Sequence, residues 1–562
     1  MQVQKIQQDN QITKQQPQFK SIDGFLRYLA VNQAVGANGV DLCCMVTPRT
    51  ASDMIKRGPV AGMETLRRES MGTVNDSLIG VYGAVAGIIV GSIMGMNKKY
   101  GNNTVNFNDI LAAPETLNIL AKRKTTQLVN KQSNVEYLKE VLRNMKAFNP
   151  NAKFVDAEGY VRLSDTSVEE IAQILDDVIQ NKDMTLKQWT KGKTNNSIHV
   201  LINKITEQTG AQSEYVIDVV SHDGIKYTST SNLETLLKDI FNVSKAFENP
   251  TVKKTFEEQI KIGNVSIRDN VFMKALNKFK NIKSYAGFGI AAAVGLSVQP
   301  INMYLTKRKT GSDGFVGVEG REKDKSTGFF LTKVASALAF MGMDLWSLNN
   351  FKGKPVLSLS GFMDKMAFKG FWPTINQLKG VFGITIISRI FSARDKDELR
   401  ESLTKDTLGF FSWLILGDIV NKATAEIIDK SVMNRNSEVA KKGFWSRIYN
   451  SKLKTRDEIL IETLHSKGVS TIKEEGGQKI AKTFKEMLND LKTSEKIPEE
   501  LKKLTKKRLG VLNKAQLAGY AFSALVLGLG IPNLNIWITN TLDKKKKAKQ
   551  AAEEQKAQVA MA

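Results

Sequence analysis

Three stretches without a charged residue limit what this chain can fold into. Residues 77–97, 284–306 and 515–542 hold 21, 23 and 28 uncharged residues. As helices rising about 1.5 Å per residue, each reaches the roughly 30 Å of a hydrocarbon core. Gln299, Pro300 and Asn302 weaken the later half of the second stretch, and Pro532 is expected to bend the third. A mean hydropathy of −0.24 hides these runs. The 25% charged fraction excludes a chain that is disordered throughout.

Three weaker stretches follow the second run. Residues 327–350 contain Lys333 and Asp344, residues 370–391 contain Lys379 and Arg389, and residues 407–421 contain Asp418. A central charge costs about 2.5 to 3.5 kcal/mol on insertion scales, which neighbouring Phe, Leu and Ile can offset only narrowly. Basic flanks give an orientation: Lys56, Arg57, Arg67 and Arg68 before the first run, Lys307, Arg308 and Lys309 after the second, and Lys544 to Lys547 after the last are all expected in the cytoplasm. Lys98 and Lys99 oppose this locally. One or three spans are then needed in residues 327–421, for a total of four or six.

The spans divide the rest. Residues 1–21 are Gln-rich, polar and expected to be disordered; they lack the apolar core of a cleavable signal, so a later span is expected to direct targeting. Residues 22–76 read as a cytoplasmic N-terminal region, and residues 98–283 as a soluble α+β domain large enough for its own core. Residues 307–326 read as a basic Gly-rich loop, 422–514 as a basic helical insert and 543–562 as a basic tail. The fold expected is mainly α: a multi-pass helical membrane protein with an inserted α+β domain.

Within that domain a unit of helix, hairpin and helix is read twice, 65 residues apart. SNVEYLKEVLRNMKAF keeps helical spacing, FVDAEGYVRL turns at Asp156-Ala157-Glu158-Gly159, and Thr166 with Glu169, or Ser167 with Glu170, forms a capping-box pattern. The second copy turns at Asp223-Gly224 and is capped by Ser231 with Glu234.

Recognised chemistry is sparse. Adjacent Cys43 and Cys44 cannot supply the spaced pairs of a zinc site, and His199, His222 and His465 lie in different segments, so no metal is expected. Gly192-Lys193-Thr194 lacks the earlier glycine of a phosphate loop, where Lys187 stands. Gly287, Gly289 and Ala292 spell a dinucleotide fingerprint without the strand it requires. No cofactor and no catalytic residue is expected, and the enzyme class is unsupported. A net charge of +24 attracts nucleic acid without any binding module, so no specific nucleic-acid partner is expected.

The most specific pattern is Gly83, Gly87, Gly91 and Gly95, one face of the first span, matched by Gly287, Ala291 and Gly295 in the second. Small faces let helix backbones approach closely. The structural reading is packing of the two spans; the functional one is self-association into a homo-oligomer. Lys333, Asp344, Arg389 and Asp418 are candidate intramembrane charges that could line a polar path. The function expected is a non-enzymatic membrane scaffold or envelope component, assembled through glycine faces and presenting its soluble domain to a protein partner. The alternative is a channel or transporter using those charges. A soluble nucleic-acid- or surface-binding protein is a third reading.

Overall fold

The computed structural model describes residues 22–31, 33–101, 105, 107, 114–150, 152–153, 155–192, 196–220, 226–263, 266–311, 323–349, 354–368 and 373–561. The Gln-rich residues 1–21, the Asp223-Gly224 turn with His222, and residues 312–322 of the basic loop lie outside them. The described chain is mainly helical, with small antiparallel sheets.

Four helices are long and apolar enough to cross a membrane, judged by length and composition: Pro59–Met94, Val271–Thr310, Thr327–Ser347 and Glu499–Leu542. The pair Ile22–Ala30 and Val35–Arg57, bent by 111°, brings the number to as many as five. Three of the four carry the uncharged runs; the fourth is the weak stretch around Lys333 and Asp344. Of the other weak stretches, one is the helix Ile375–Ser392 and the other is divided among Lys396–Phe411, Ser412–Leu416 and Gly417–Ile428.

Local chemistry sets the helix ends. Gly58, at φ +91°, releases the chain into Pro59, whose missing N–H costs nothing in a first turn. Gly95, at φ +61°, closes the same helix in the left-handed conformation that glycine adopts without a Cβ clash. Asn270 caps Val271–Thr310 by accepting from Met273 N at 3.0 Å.

Side-chain contacts fix how the helices run. Pro59–Met94 and Val271–Thr310 are antiparallel: a Cβ on Gly287 would lie 3.2 Å from Gly83 Cα, Asn75 Nδ2 donates to Ala291 O at 3.3 Å, and Arg67 Nη2 donates to Thr306 Oγ1 at 2.8 Å. Thr327–Ser347 and Ile375–Ser392 pair in the same sense, Lys333 reaching Phe391 O at 3.0 Å and Ser347 O accepting from Lys379 Nζ at 2.8 Å. Lys396–Ile428 climbs beside the descending Glu499–Leu542, through Arg400 with Thr539 and Gly417 beside Ser523.

The N-terminal region does not stay on one side. Arg27 Nε meets Asp457 Oδ2 at 2.7 Å in the basic block, whereas Arg57 pairs with Glu401 at the far end of the bundle. Residues 22–57 therefore run the length of the bundle before Gly58 turns the chain back.

The bundle carries an apolar exterior over a mixed interior. On Pro59–Met94 the exposed residues include Val74, Val81, Val85, Ile88, Ile89 and Ile93, and the buried ones include Gly72, Thr73, Asn75, Asp76, Gly80 and Gly83. Leu296, Ile301, Phe330, Leu331, Leu525 and Leu529 continue the apolar exterior on the other long helices.

Above one end of the bundle sits a two-part head. Its first part has a four-stranded antiparallel sheet in the order β2-β1-β3-β4: β1 Met145–Phe148, β2 Tyr160–Arg162, β3 Tyr215–Val220 and β4 Lys226–Ser231. The order helix, hairpin, helix occurs twice, and the inner strands pair Met145 with Ile217 and Ala147 with Tyr215. The expected positions shift, however. The first helix stops at Arg143, so Met145–Phe148 is strand rather than helix, and Val155 belongs to the connection, with Phe154 outside the described residues. The caps are Ser164, accepting from Ser167 N, and Asn232, accepting from Thr235 N at 2.8 Å. They are 68 residues apart, so the two units do not keep the expected 65-residue register. Tyr100, Phe107 and Phe272 stack edge to face at 5.2 to 6.4 Å and weld this part to the two long helices beneath it.

The second part, residues 422–514, is not purely helical. β5 Met433–Asn434 pairs with β6 Lys452–Leu453, and β7 Ile472–Glu475 turns through Gly476 and Gly477, at φ +61° and +75°, into β8 Gln478–Ala481. The two parts dock. Glu458 Oε1 accepts from Gln212 N, Ser213 N and Ser213 Oγ at 2.7, 3.1 and 3.0 Å, and Asn434 Nδ2 donates to Phe148 O at 3.1 Å.

Candidate functional site: a buried ionic layer

The end of the bundle away from the head holds a concentration of buried charge. Glu69, on the inner face of Pro59–Met94, is 4% exposed and is approached by four cations: Lys405 at 2.8 Å, Arg389 at 3.1 Å, Arg68 at 3.3 Å and Arg49 at 3.6 Å. Arg389 binds Asp406 at 2.7 Å, and Arg394 binds Glu64 at 2.8 Å and Glu398 at 3.8 Å. Arg57 pairs with Asp53 and Glu401. Charges taken out of water persist only when matched and hydrogen-bonded, and here most matches run between helices, Lys405 and Arg389 reaching Glu69 and Arg394 reaching Glu64. Residues 49–57, 64–69, 389–394 and 398–406 are thereby locked together.

Beside this layer three stretches are wound with the wider i to i+5 bonding of a π-helix: Asp41–Val46, Ser412–Leu416 and Ala524–Gly530. The first and third meet where a Cβ on Gly528 would stand 2.6 Å from Cys44 O, and the second touches the third. Such stretches recur at functional positions of helices. Nearby, Thr73 donates to Asp41, and Asn75 Oδ1 accepts from Tyr82 OH at 3.1 Å.

The four charges singled out from sequence part company. Arg389 lies at the centre of the ionic layer. Lys333 caps the last carbonyls of Ile375–Ser392, donating to Phe391 O and Ala393 O, and lies 4.5 Å from the centre of the Phe329 ring. Asp344 is buried near the opposite end, against Gly383, and its Oδ1 accepts from Ser347 Oγ at 3.3 Å. Asp418 is 60% exposed and pairs with Lys422 one turn on at 2.7 Å. They do not line one path.

The glycines divide as well. A Cβ on Gly83 would fall 2.2 Å from Phe368 Cδ1, and one on Gly287 2.6 Å from Phe368 Cε2, so both hold the ring and each other. Gly87 faces the stem of Lys283 at 3.1 Å, Gly295 faces Thr385 Oγ1 at 3.1 Å, and Gly91 and Ala291 are buried. Gly95 meets nothing within 4 Å. Its role is the helix cap, which removes it from the packing face.

Glu64, Glu69, Arg49, Arg394, Lys405 and Asp406 were missed because the sequence reading treated charges near span ends as solvated flanks. One signal was present: Glu398, Glu401 and Lys405 recur three and four residues apart, the spacing of one helix face. Among the described residues no three His, Cys, Asp or Glu side chains gather as a metal-binding group. Comparison with protein-family models, curated proteins and solved structures returns no match.

Proposed function

We propose that the chain is a multi-pass integral membrane protein, a non-enzymatic scaffold that holds a rigid two-part head on one face of a bilayer. The observation that carries this is the apolar exterior: Val, Ile and Leu face outward over an interior that mixes Gly, Asn, Thr and paired charge with packed Phe, Ile and Leu. In water such an exterior is unfavourable by roughly 25 cal/mol per Å² of apolar surface, whereas lipid removes that cost. Counting Val35–Arg57 and the segments Ile375–Ser392 and Lys396–Ile428 with the four apolar helices gives seven passes. The head and Ile22 then share one side, and the 307–326 loop and the tail share the other, which the basic flanks make cytoplasmic.

The scaffold reading is preferred to transport because the candidate charges already have structural work. Lys333 closes a helix end, Asp418 is solvated and Arg389 is matched by two carboxylates. In this reading Gly83 and Gly287 serve packing within one chain, and a protein partner engages the head.

Carbonate extraction and single-cysteine labelling test the proposal. With Cys43 and Cys44 replaced, cysteines at Gly224 and Ile22 should label from one side and a cysteine at Lys546 from the other. Release by carbonate of a folded, monodisperse chain sinks the membrane reading. Ion flux in liposomes that disappears in both Asp344→Asn and Asp406→Asn sinks the scaffold in favour of a transporter.

A further inference from the structure

The ionic layer does not satisfy all of its own donors. It encloses a cavity of about 50 Å³, lined among others by Arg49, Arg68, Arg389, Lys405 and Asp406. Arg49 is the least satisfied of these. Its side chain is 2% exposed, all three guanidinium nitrogens lack a hydrogen-bond acceptor among the described residues, and its nearest carboxylate, Glu69, is 3.6 Å away. Arg68 Nε and Arg389 Nε are buried without an acceptor too.

The local charge points the same way. Arg49, Arg68, Arg389 and Lys405 converge on one carboxylate, Glu69, and the second carboxylate on that wall, Asp406, is taken by Arg389 and by Ser402 Oγ at 2.9 Å. Asp53 and Glu401, across the cavity, are engaged by Arg57, and Asp53 also by Thr65 Oγ1 at 2.6 Å. Four cations thus converge on Glu69 and Asp406 along one wall, while Asp53, Glu398 and Glu401 face Arg57 and Arg394 on the other, so the positive charge is concentrated at the Arg49 wall rather than spread over the whole lining. Buried guanidinium groups without acceptors are costly, and an anion seated against Arg49 supplies the missing acceptor.

We propose that this cavity binds a small inorganic anion of about the size of chloride, with Arg49 as its principal donor. The size argument is direct: about 10 to 15 Å³ accommodates one water, so the cavity holds a monatomic anion with one or two waters and excludes an organic phosphate. The site does not depend on whether the protein is a scaffold or a transporter.

The test uses the full chain purified in detergent, with sodium chloride compared against sodium gluconate at equal ionic strength. Saturable broadening of the chloride-35 magnetic resonance line is expected, together with slower hydrogen exchange in peptides covering residues 45–57 and 396–410. Arg49→Met should weaken chloride binding about tenfold or more, and Arg49→Lys less, because one loses and the other keeps a charged donor. Absence of broadening and of protection in the wild type means a cavity filled by water alone and overturns the proposal. So does protection confined to other peptides, or a folded Arg49→Met protein that binds as the wild type does. Should Arg49→Met fail to fold, the exchange pattern of the wild type decides by itself.

Discussion

Two glycines one turn-fraction apart on the same helix should respond oppositely to the same methyl group. At Gly287 the new Cβ would stand 2.6 Å from Phe368 Cε2 and 3.2 Å from Gly83 Cα; at Gly289 it would meet nothing within 4 Å. Carbon atoms rest at about 3.5 to 4 Å, so the Phe368 ring must retreat by about 1 Å for Gly287→Ala to fit. Overpacking of this kind costs about 1 to 3 kcal/mol, against about 0.5 to 1 kcal/mol gained when alanine replaces glycine in a helix. Gly287→Ala should therefore lose about 1 to 2 kcal/mol, and Gly289→Ala should gain up to about 1 kcal/mol. Phe368→Ala removes the ring and should itself cost about 3 to 5 kcal/mol. In that background Gly287→Ala should be cheaper by about 1 kcal/mol or more, a coupling readable from a double-mutant cycle. Unfolding in mixed detergent and dodecyl sulfate micelles, followed by circular dichroism, gives the four free energies. Equal effects at Gly287 and Gly289, or strict additivity with Phe368→Ala, would refute the close approach of the two helices around this ring.

Breaking the ionic layer should be severe: Arg389→Met leaves Glu69 and Asp406 short of a partner and is expected to cost about 3 to 5 kcal/mol, whereas Asp418→Asn, at an exposed pair, should stay within about 1 kcal/mol of wild type by thermal unfolding. The cap positions can be separated by removing one side chain at a time. Asn232→Ala should lose about 1 kcal/mol and Ser231→Ala far less, contrary to the sequence-based cap at Ser231. In the head, burial acts to raise the Glu486 carboxyl, but hydrogen bonds from Lys473 and Thr483 outweigh it and hold it at about 2. Because that value lies below its ordinary 4.5, its contribution is complete above pH 4.5 and is lost as pH falls from 4.5 toward 2. Partial exposure screens it to about 1 kcal/mol, so the acid-unfolding curve of Glu486→Gln should converge on wild type near pH 2.

Length and the absence of charge made three of the apolar helices legible, since no other property of a 21-residue uncharged run competes with them. The first segment, residues 35–57, was not legible. Asp41, Arg49 and Asp53 interrupt its hydropathy, and the carboxylate nearest Arg49 and the hydroxyl that supports Asp41 belong to Glu69 and Thr73 on the next helix. Met145–Phe148 continues the helical spacing of the residues before it, and becomes a strand because β3, some seventy residues later, supplies its partner. The β7–β8 hairpin, by contrast, was announced by Gly476-Gly477 and overlooked. Of the site, Arg389 was found from its place in an apolar stretch. Its partners could not be, because ion pairs between residues 320 positions apart leave no mark on local periodicity.

That separation also sets a timetable. A ribosome adding about 5 to 20 residues per second needs on the order of half a minute to travel from Glu69 to Arg389. Throughout that interval the N-terminal hairpin carries a carboxylate for which only Arg49 and Arg68 have been made. The hairpin can form early, but its contacts to residues 389–406 wait for that segment to arrive. Chains cut short before that point would lack Arg389 and Lys405 and leave the layer around Glu69 open, a feature that separates an unfinished molecule from a finished one.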